Sequence, residues 1–402
     1  MIPLRGMTWD HPRGYRPLRA FETSGLSPER VDWDVQSLAD FEAHPLDELA
    51  RTYDLLVVDH PGLGAGIVRG AILALDEVFS TEELAAWQGQ SVPPTWQGYR
   101  LGGRQWAIPI DAATQVSMFR ADRLADPPAR WDGIAAVSRY AATALCLGGP
   151  HALLTLLACC ADSAEPRPSL LPVVRAEAAL ELLQSLWPMV DRSVSLGDPI
   201  GVHEAIAAGV LDYCPLAYGY AAYARPEPGR AELAFADAPS WLGSRPGSVL
   251  GGTGLAVAAR PADGDDDGDR GNRGNRGGDG NCGGGGERRE RIRRWIRAFL
   301  AEDVQTGLVP AHGGQPASAA VWNSPGVGGA SGGYYSHTLR SLTSAWIRPR
   351  YDGWIDVQDE GSAIVRDCIV GARDPRAAVA QINRLHDRRR GSDTRITESR
   401  SA

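Results

Sequence analysis

Ser248-Val-Leu-Gly-Gly-Thr-Gly-Leu-Ala-Val-Ala-Ala259 opens the most informative stretch of the chain. Arg291-Ile-Arg-Arg-Trp-Ile-Arg-Ala-Phe-Leu-Ala301 follows and runs into Glu302-Asp-Val-Gln-Thr-Gly-Leu-Val-Pro310. The stretch closes on His312-Gly-Gly-Gln-Pro-Ala-Ser-Ala-Ala-Val-Trp-Asn323. The first run reads as an apolar strand broken by glycines, the second as a helix ending near Gly307, and the third as a proline-marked crossover.

Outward from this stretch, the N-terminal part alternates strand and helix. Pro3–Trp9 and Asp32–Gln36 read as short strands, and a helix begins at Ser37 and continues through Asp47–Arg51. Asp54-Leu-Leu-Val-Val-Asp59 is a continuous apolar and β-branched run, as expected of a strand buried on both faces of a parallel sheet. Such alternation predicts α/β architecture with helices covering the sheet. Gly103–Arg120 reads as extended, and Pro109 suits a strand edge or a hinge.

Between 132 and 240 we expect helices over Asp132–Tyr140, His151–Asp162, Val174–Val190 and Gly201–Gly209, with strands at Ala144–Leu147 and Leu211–Tyr220. From Gly264 to Arg289 Cys282 is the only apolar side chain, so residues 262–289 read as a disordered insertion. Its Asp265-Asp-Asp267 run lacks the spaced ligands of a calcium loop. Further helices are expected at Tyr334–Ile347, Gly361–Gly371 and Pro375–Leu385, with a disordered tail over 387–402.

A net charge of -8 argues against a nucleic-acid surface. No apolar run approaches the roughly 18 residues of a membrane span. The six cysteines show no CxxC spacing and read as buried thiols. No Gly-x-Ser-x-Gly elbow, His-Glu-x-x-His or Walker loop is present. Asp59-His-Pro-Gly-Leu-Gly-Ala-Gly66 follows a buried strand, but its glycines fall outside the GxGxxG spacing of a dinucleotide site. The eight histidines are scattered, and His11 with His60 makes only a weak case for a metal pair.

In order and texture, residues 1 to 386 apart from the insertion resemble the ABC-transporter solute-binding proteins of the sugar-binding type. The strand, helix and crossover between Gly247 and Trp322 are similar to that family's hinge-crossing segment. The resemblance implies a two-lobed, type II periplasmic-binding-protein fold, each lobe a mainly parallel sheet flanked by helices. It places lobe 1 at 1–110 and 248–310, lobe 2 at 111–247 and 311–350, and C-terminal helices at 351–386 packing on the lobes. It implies hinge closure on a small polar solute (a sugar, polyol or related carboxylate), delivery to the transmembrane subunits of an ABC permease, no cofactor, no nucleic acid and a monomer.

Ligands of open α/β sheets bind beyond the carboxyl ends of strands. Trp9, Asp10, His11, Arg13 and Tyr15 follow the first strand and are candidate contacts, as are Asp59 and His60 after the buried strand. Asp111, Gln115, Tyr218, Gly252, Thr253 and Gln315 lie at or near the crossings and complete the candidate set. Trp106, Tyr220 and Trp322 near predicted strand ends fit the lining of a binding cleft. Two other readings stay open: a cofactor- or nucleotide-dependent enzyme using the Gly62–Gly66 loop, and a cytoplasmic ligand sensor. The chain shows no signal segment or lipid-attachable cysteine at its start. The expected location is extracytoplasmic if an upstream signal is missing from this chain and cytoplasmic if the start is correct.

Overall fold

Thirteen consecutive residues, Ile108–Arg120, form the strand that ties the molecule together. The computed structural model describes residues 2–161, 169–225, 227–241, 243, 245–260 and 283–400. Its main sheet has seven strands. These are β1 Leu4–Trp9, β2 Val31–Gln36, β3 Leu55–Val58, β4 Ile108–Arg120, β5 Tyr213–Tyr218, β6 Leu233–Ala236 and β7 Leu250–Val257.

The first half of β4 pairs with one set of strands and the second half with another. Ile108–Thr114 pair antiparallel with β7, which pairs antiparallel with β3; β3, β1 and β2 then run parallel to one another. Gln115–Arg120 pair antiparallel with β5 and β6. The register slips between Pro109 and Asp111 and again between Val116 and Met118. Such bulges twist a strand and redirect its side chains, which lets one strand turn from one set of partners to the other within the sheet.

The first lobe's core is built from Leu55, Val57, Ile108 and Leu255 of the sheet. Helix α1, Pro12–Thr23, and helix α7, Gly283–Phe299, lie against it, with Phe21, Trp295 and Phe299 packed ring against ring. Two shorter helices, α2 Leu38–Ala43 and α3 Leu63–Val68, follow β2 and β3. In the second lobe, α4 His151–Cys159 is buried at every residue and presents no solvent-facing stripe. It packs with α5 Val173–Leu186, while α6 Pro199–Ala207 and α8 Tyr334–Thr343 cover β5 and β6. The C-terminal helices α9 Trp354–Ile369 and α10 Pro375–Arg400 share the core of α4 and α5.

The expected α/β two-lobed architecture is present, with several local differences, among them these five. The first is Ala144–Leu147, which forms no strand. Leu145 N donates to Ser195 Oγ at 3.0 Å and Leu147 N to Ser195 O at 2.9 Å, so a loop takes the donors a ladder would use. The second is the second lobe's sheet, whose named strands pair antiparallel to β4 and not mainly parallel. The third is α1, a helix beyond those the sequence patterns predict; Pro12 sits in its first turn, where a missing N–H costs little. The fourth is the insertion. Residues 261–282 lie outside the described residues, but 283–289 already belong to α7, where Arg288 meets Asp54. The fifth is the tail, because α10 continues as helix to Arg400.

Candidate functional site

A cleft opens where the two halves of β4 meet. Its geometry starts at the end of β1. His11 caps α1, and its Nδ1 accepts from Arg13 N–H at 3.1 Å. That first turn carries Arg13 to β4, where Nε donates to Asp111 Oδ2 at 2.8 Å and Nη2 donates to Asp111 Oδ1. Arg13 Nη1 donates to Gly219 O at 3.2 Å, and the guanidinium lies 4.7 Å from the centre of the Tyr220 ring. This is the two-pronged arrangement in which a guanidinium and a carboxylate bind most strongly.

A second pair faces the same cleft. Asp59 follows β3, and its oxygens receive Arg348 Nη2 at 2.8 and 2.9 Å. Arg348 Nη1 donates to Gln358 Oε1 at 3.2 Å. Burial works against the charge of Asp59, but Arg348 and His60 outweigh it and hold the carboxyl at about 2. Burial pushes the Asp111 carboxyl upward against the pull of Arg13. His151, at the start of α4, also lines the cleft; burial and then the charge of Arg348 lower its pKa to about 3, so the ring is neutral.

Aromatic rings make the walls. Trp9 stacks on His11 with centroids 5.0 Å apart, approaches Phe41 of α2 at 5.9 Å, and meets Tyr220 edge-on. The glycines of β7 explain how Tyr218 fits. A Cβ on Gly251 would lie 2.6 Å from the Tyr218 ring, so the missing side chain is the seat of that ring. Gly252 has φ of 91°, a conformation other residues rarely adopt, and a Cβ there would lie 2.3 Å from Asp111 O. Tyr218 O–H donates to Leu250 O at 3.2 Å.

Seven of the thirteen expected residues line this cleft: Trp9, Arg13, Asp59, Asp111, Tyr218, Gly252 and Thr253. The others sit elsewhere. Asp10 is exposed, and Tyr15 stacks with Arg19. His11 is a helix cap behind Trp9. His60 is fully buried beside Asp59 and Tyr99. Gln115 is buried opposite Tyr218 in the β4–β5 ladder. Gln315 ties the crossings together: its Nε2 donates to Ala112 O at 2.7 Å and Tyr334 Oη at 2.9 Å, and its Oε1 accepts from Ala221 N at 2.9 Å. Of the other aromatics, Tyr220 lines the cleft, whereas Trp106 and Trp322 donate to the carbonyls of Leu101 and Pro316.

Sequence reasoning missed Arg348, His151, Phe41 and Leu38. Arg348 stood in a helix-stopping Arg-Pro-Arg, and the other three stood in unremarkable helices. The Gly62–Gly66 segment is explained by packing. A Cβ on Gly64 would lie 1.8 Å from Arg350 O, and one on Gly66 would lie 2.7 Å from Leu46. Among the described residues no group of three or more His, Cys, Asp or Glu could hold a metal ion, and no helix is long and apolar enough to cross a membrane.

Solved structures share this arrangement of strands and helices. Maltose-bound MalE3 of T. maritima superimposes with a TM-score of 0.76 at 16% identity, over 96% of this chain and 99% of that one. An ABC-transporter solute-binding protein from Agrobacterium radiobacter K84, in complex with ribitol, gives 0.71 at 16% identity, over 95% and 97%. The chain has the two-lobed solute-binding-protein fold. No family model matches it, and no curated protein matches it in sequence.

Proposed function

We propose that the protein is the solute-binding component of an ABC importer. It holds a small polar solute between two lobes by hinge closure and presents the closed form to the permease's transmembrane subunits. The observation that carries this reading is the position of the cleft: it lies against the strand both lobes share, and its lining mixes aromatic rings with buried charged groups. Rings cover the apolar faces of a sugar or polyol, while polar groups meet its hydroxyls. The maltose and ribitol named for the two similar structures belong to those classes.

On this reading lobe 1 comprises residues 1–110 and 248–310, lobe 2 comprises 111–247 and 311–350, and the helices beyond complete the second lobe. The protein acts as a monomer outside the cytoplasm and binds no nucleic acid. Ligand binding selects the closed state and needs no covalent step. A thermal-shift screen of sugars, polyols and their acids tests it. At a hundredfold excess over Kd, a true solute stabilises by about 2.7 kcal/mol and remains chemically unchanged. Stabilisation by a nucleotide or nicotinamide alone would sink the reading in favour of a cofactor-dependent enzyme.

A further inference from the structure

The cleft's charged groups differ from its other polar groups in one respect. Both cations that line it are already committed, Arg13 to Asp111 and Arg348 to Asp59. His151 and Thr253 are 4% and 5% exposed. Among the described residues, neither the His151 ring nitrogens nor the Thr253 hydroxyl has a hydrogen-bond partner, and both side chains line the cleft. The polar atoms of both are not sealed off inside the protein but open to the cleft, so they are available to a ligand there. The two stand on different elements, His151 on α4 of the second lobe and Thr253 on β7, opposite Asp111.

We propose that this cleft selects uncharged polyhydroxy solutes over the corresponding acids, with His151 and Thr253 reading the solute's hydroxyls. The inference rests on the transport reading and narrows it. A neutral imidazole donates from one nitrogen and accepts at the other, and a threonine hydroxyl does both. A solute hydroxyl does both in return. A solute carboxylate only accepts, and it would enter a dry site beside Asp59 and Asp111, whose counter-charges are already in use.

Matched pairs test this by titration calorimetry at pH 7.5 on the full chain: D-glucose with D-glucuronate, D-galactose with D-galacturonate, ribitol with D-ribonate, and maltose with maltobionate. The neutral member of at least one pair is expected to bind, with its acid at least about 30-fold weaker. His151→Phe keeps a ring and removes both nitrogens, so it is expected to weaken the neutral solute at least about tenfold, with partial recovery in His151→Asn. Asp59→Asn releases Arg348 and is expected to narrow the neutral-to-acid ratio about tenfold or more; Asp111→Asn, which releases Arg13, serves if the first variant does not fold. An acid that binds as tightly as its neutral partner overturns the inference and leaves the transport reading standing. So does unchanged neutral binding in His151→Phe. If no member of any pair binds, the transport reading fails and the inference falls with it.

Discussion

Arginine–carboxylate pairs occur in two settings in this molecule, and the setting decides what they do. At the cleft, Arg13 and Arg348 are 5% and 4% exposed. On α7, a row of arginines meets the rim of the first lobe: Arg288 pairs with Asp54, Arg291 and Arg294 with Glu29, and Arg297 with Glu83. Water reaches the outer members of that row, Arg294 and Arg297, whose side chains are 46% and 45% exposed, while Arg291 and Asp54 are buried. At the cleft the charges act beyond their partners. Beyond the effect of burial itself, the charge of Arg13 helps keep His11 and His203 neutral, and that of Arg348 does the same for His60 and His151. A buried charge that is fully paired still shapes its surroundings, because little water lies between to screen it.

The largest effect that tests this contrast is acid unfolding. Burial and the nearby arginines depress His11, His60 and His203 from 6.5 to about 4, and His151 to about 3. Below pH 6.5 the unfolded chain takes up these protons while the folded chain does not. The histidines' contribution is therefore present above pH 6.5 and is lost as pH falls toward 4. At 1.36 kcal/mol per pKa unit, each represents on the order of 3 kcal/mol. Asp59 adds its own loss lower down, between 3.8 and about 2. Urea midpoints measured from pH 7.5 to 4 should fall steeply below pH 6.5, with the fold lost before pH 4. A flat profile down to pH 4.5 would mean that the histidines are not held neutral and that the buried arginines act no further than their partners.

Next in size is removal of one buried partner. Arg13→Ala leaves Asp111 in a dry site without its cation, and such losses cost about 3–5 kcal/mol. Because burial already pushes the Asp111 carboxyl upward, that site would then take up a proton more readily. The same variant relieves His11 and His203 of a neighbouring charge, so the acid transition should also become shallower. Chemical denaturation at pH 7.5 and 5.5 reads both effects. A loss below about 1 kcal/mol would place Arg13–Asp111 in the same class as the pairs on α7.

The sheet was far more legible in the sequence than the pairs. β3 is an apolar run, β7 is an apolar run broken by glycines, and β4 lies within one extended segment marked by Pro109. Periodicity is local information and survives in a single sequence. The carboxylates were legible too, because Asp59 and Asp111 stand at a strand end and a crossing. Their pairing was not: Arg13, itself a candidate, is 98 residues from Asp111, and Arg348, which was missed, is 289 residues from Asp59. No local pattern records such a contact. Gln315 shows the opposite failure. It was flagged as polar at a crossing, but its amide is spent on the backbone there, and only the fold distinguishes a structural amide from a binding one. α1 was hidden because its prolines signal a break unless the cap at His11 is known.

The smallest effect belongs to α7 and completes the contrast. Arg297 Nε donates to Glu83 at 2.6 Å, across side chains that are 45% and 26% exposed. Glu83 is also the third residue of a capping box, where it accepts from Ser80 N at 3.0 Å. Arg297→Ala therefore removes a screened pair and leaves Glu83 with water and a backbone donor, so its expected cost is below about 1 kcal/mol. Added salt should reduce even that, since the Debye length falls from about 10 Å at 0.1 M to about 3 Å at 1 M. Denaturation of this variant and of Arg13→Ala at both salt concentrations gives the sharpest form of the comparison. The Arg297 deficit should shrink at 1 M salt while the Arg13 deficit persists, because ions cannot enter the volume between Arg13 and Asp111. Equal salt sensitivity in the two variants would show that solvent reaches both pairs alike, and the cleft would then lack the dry interior on which its selectivity depends.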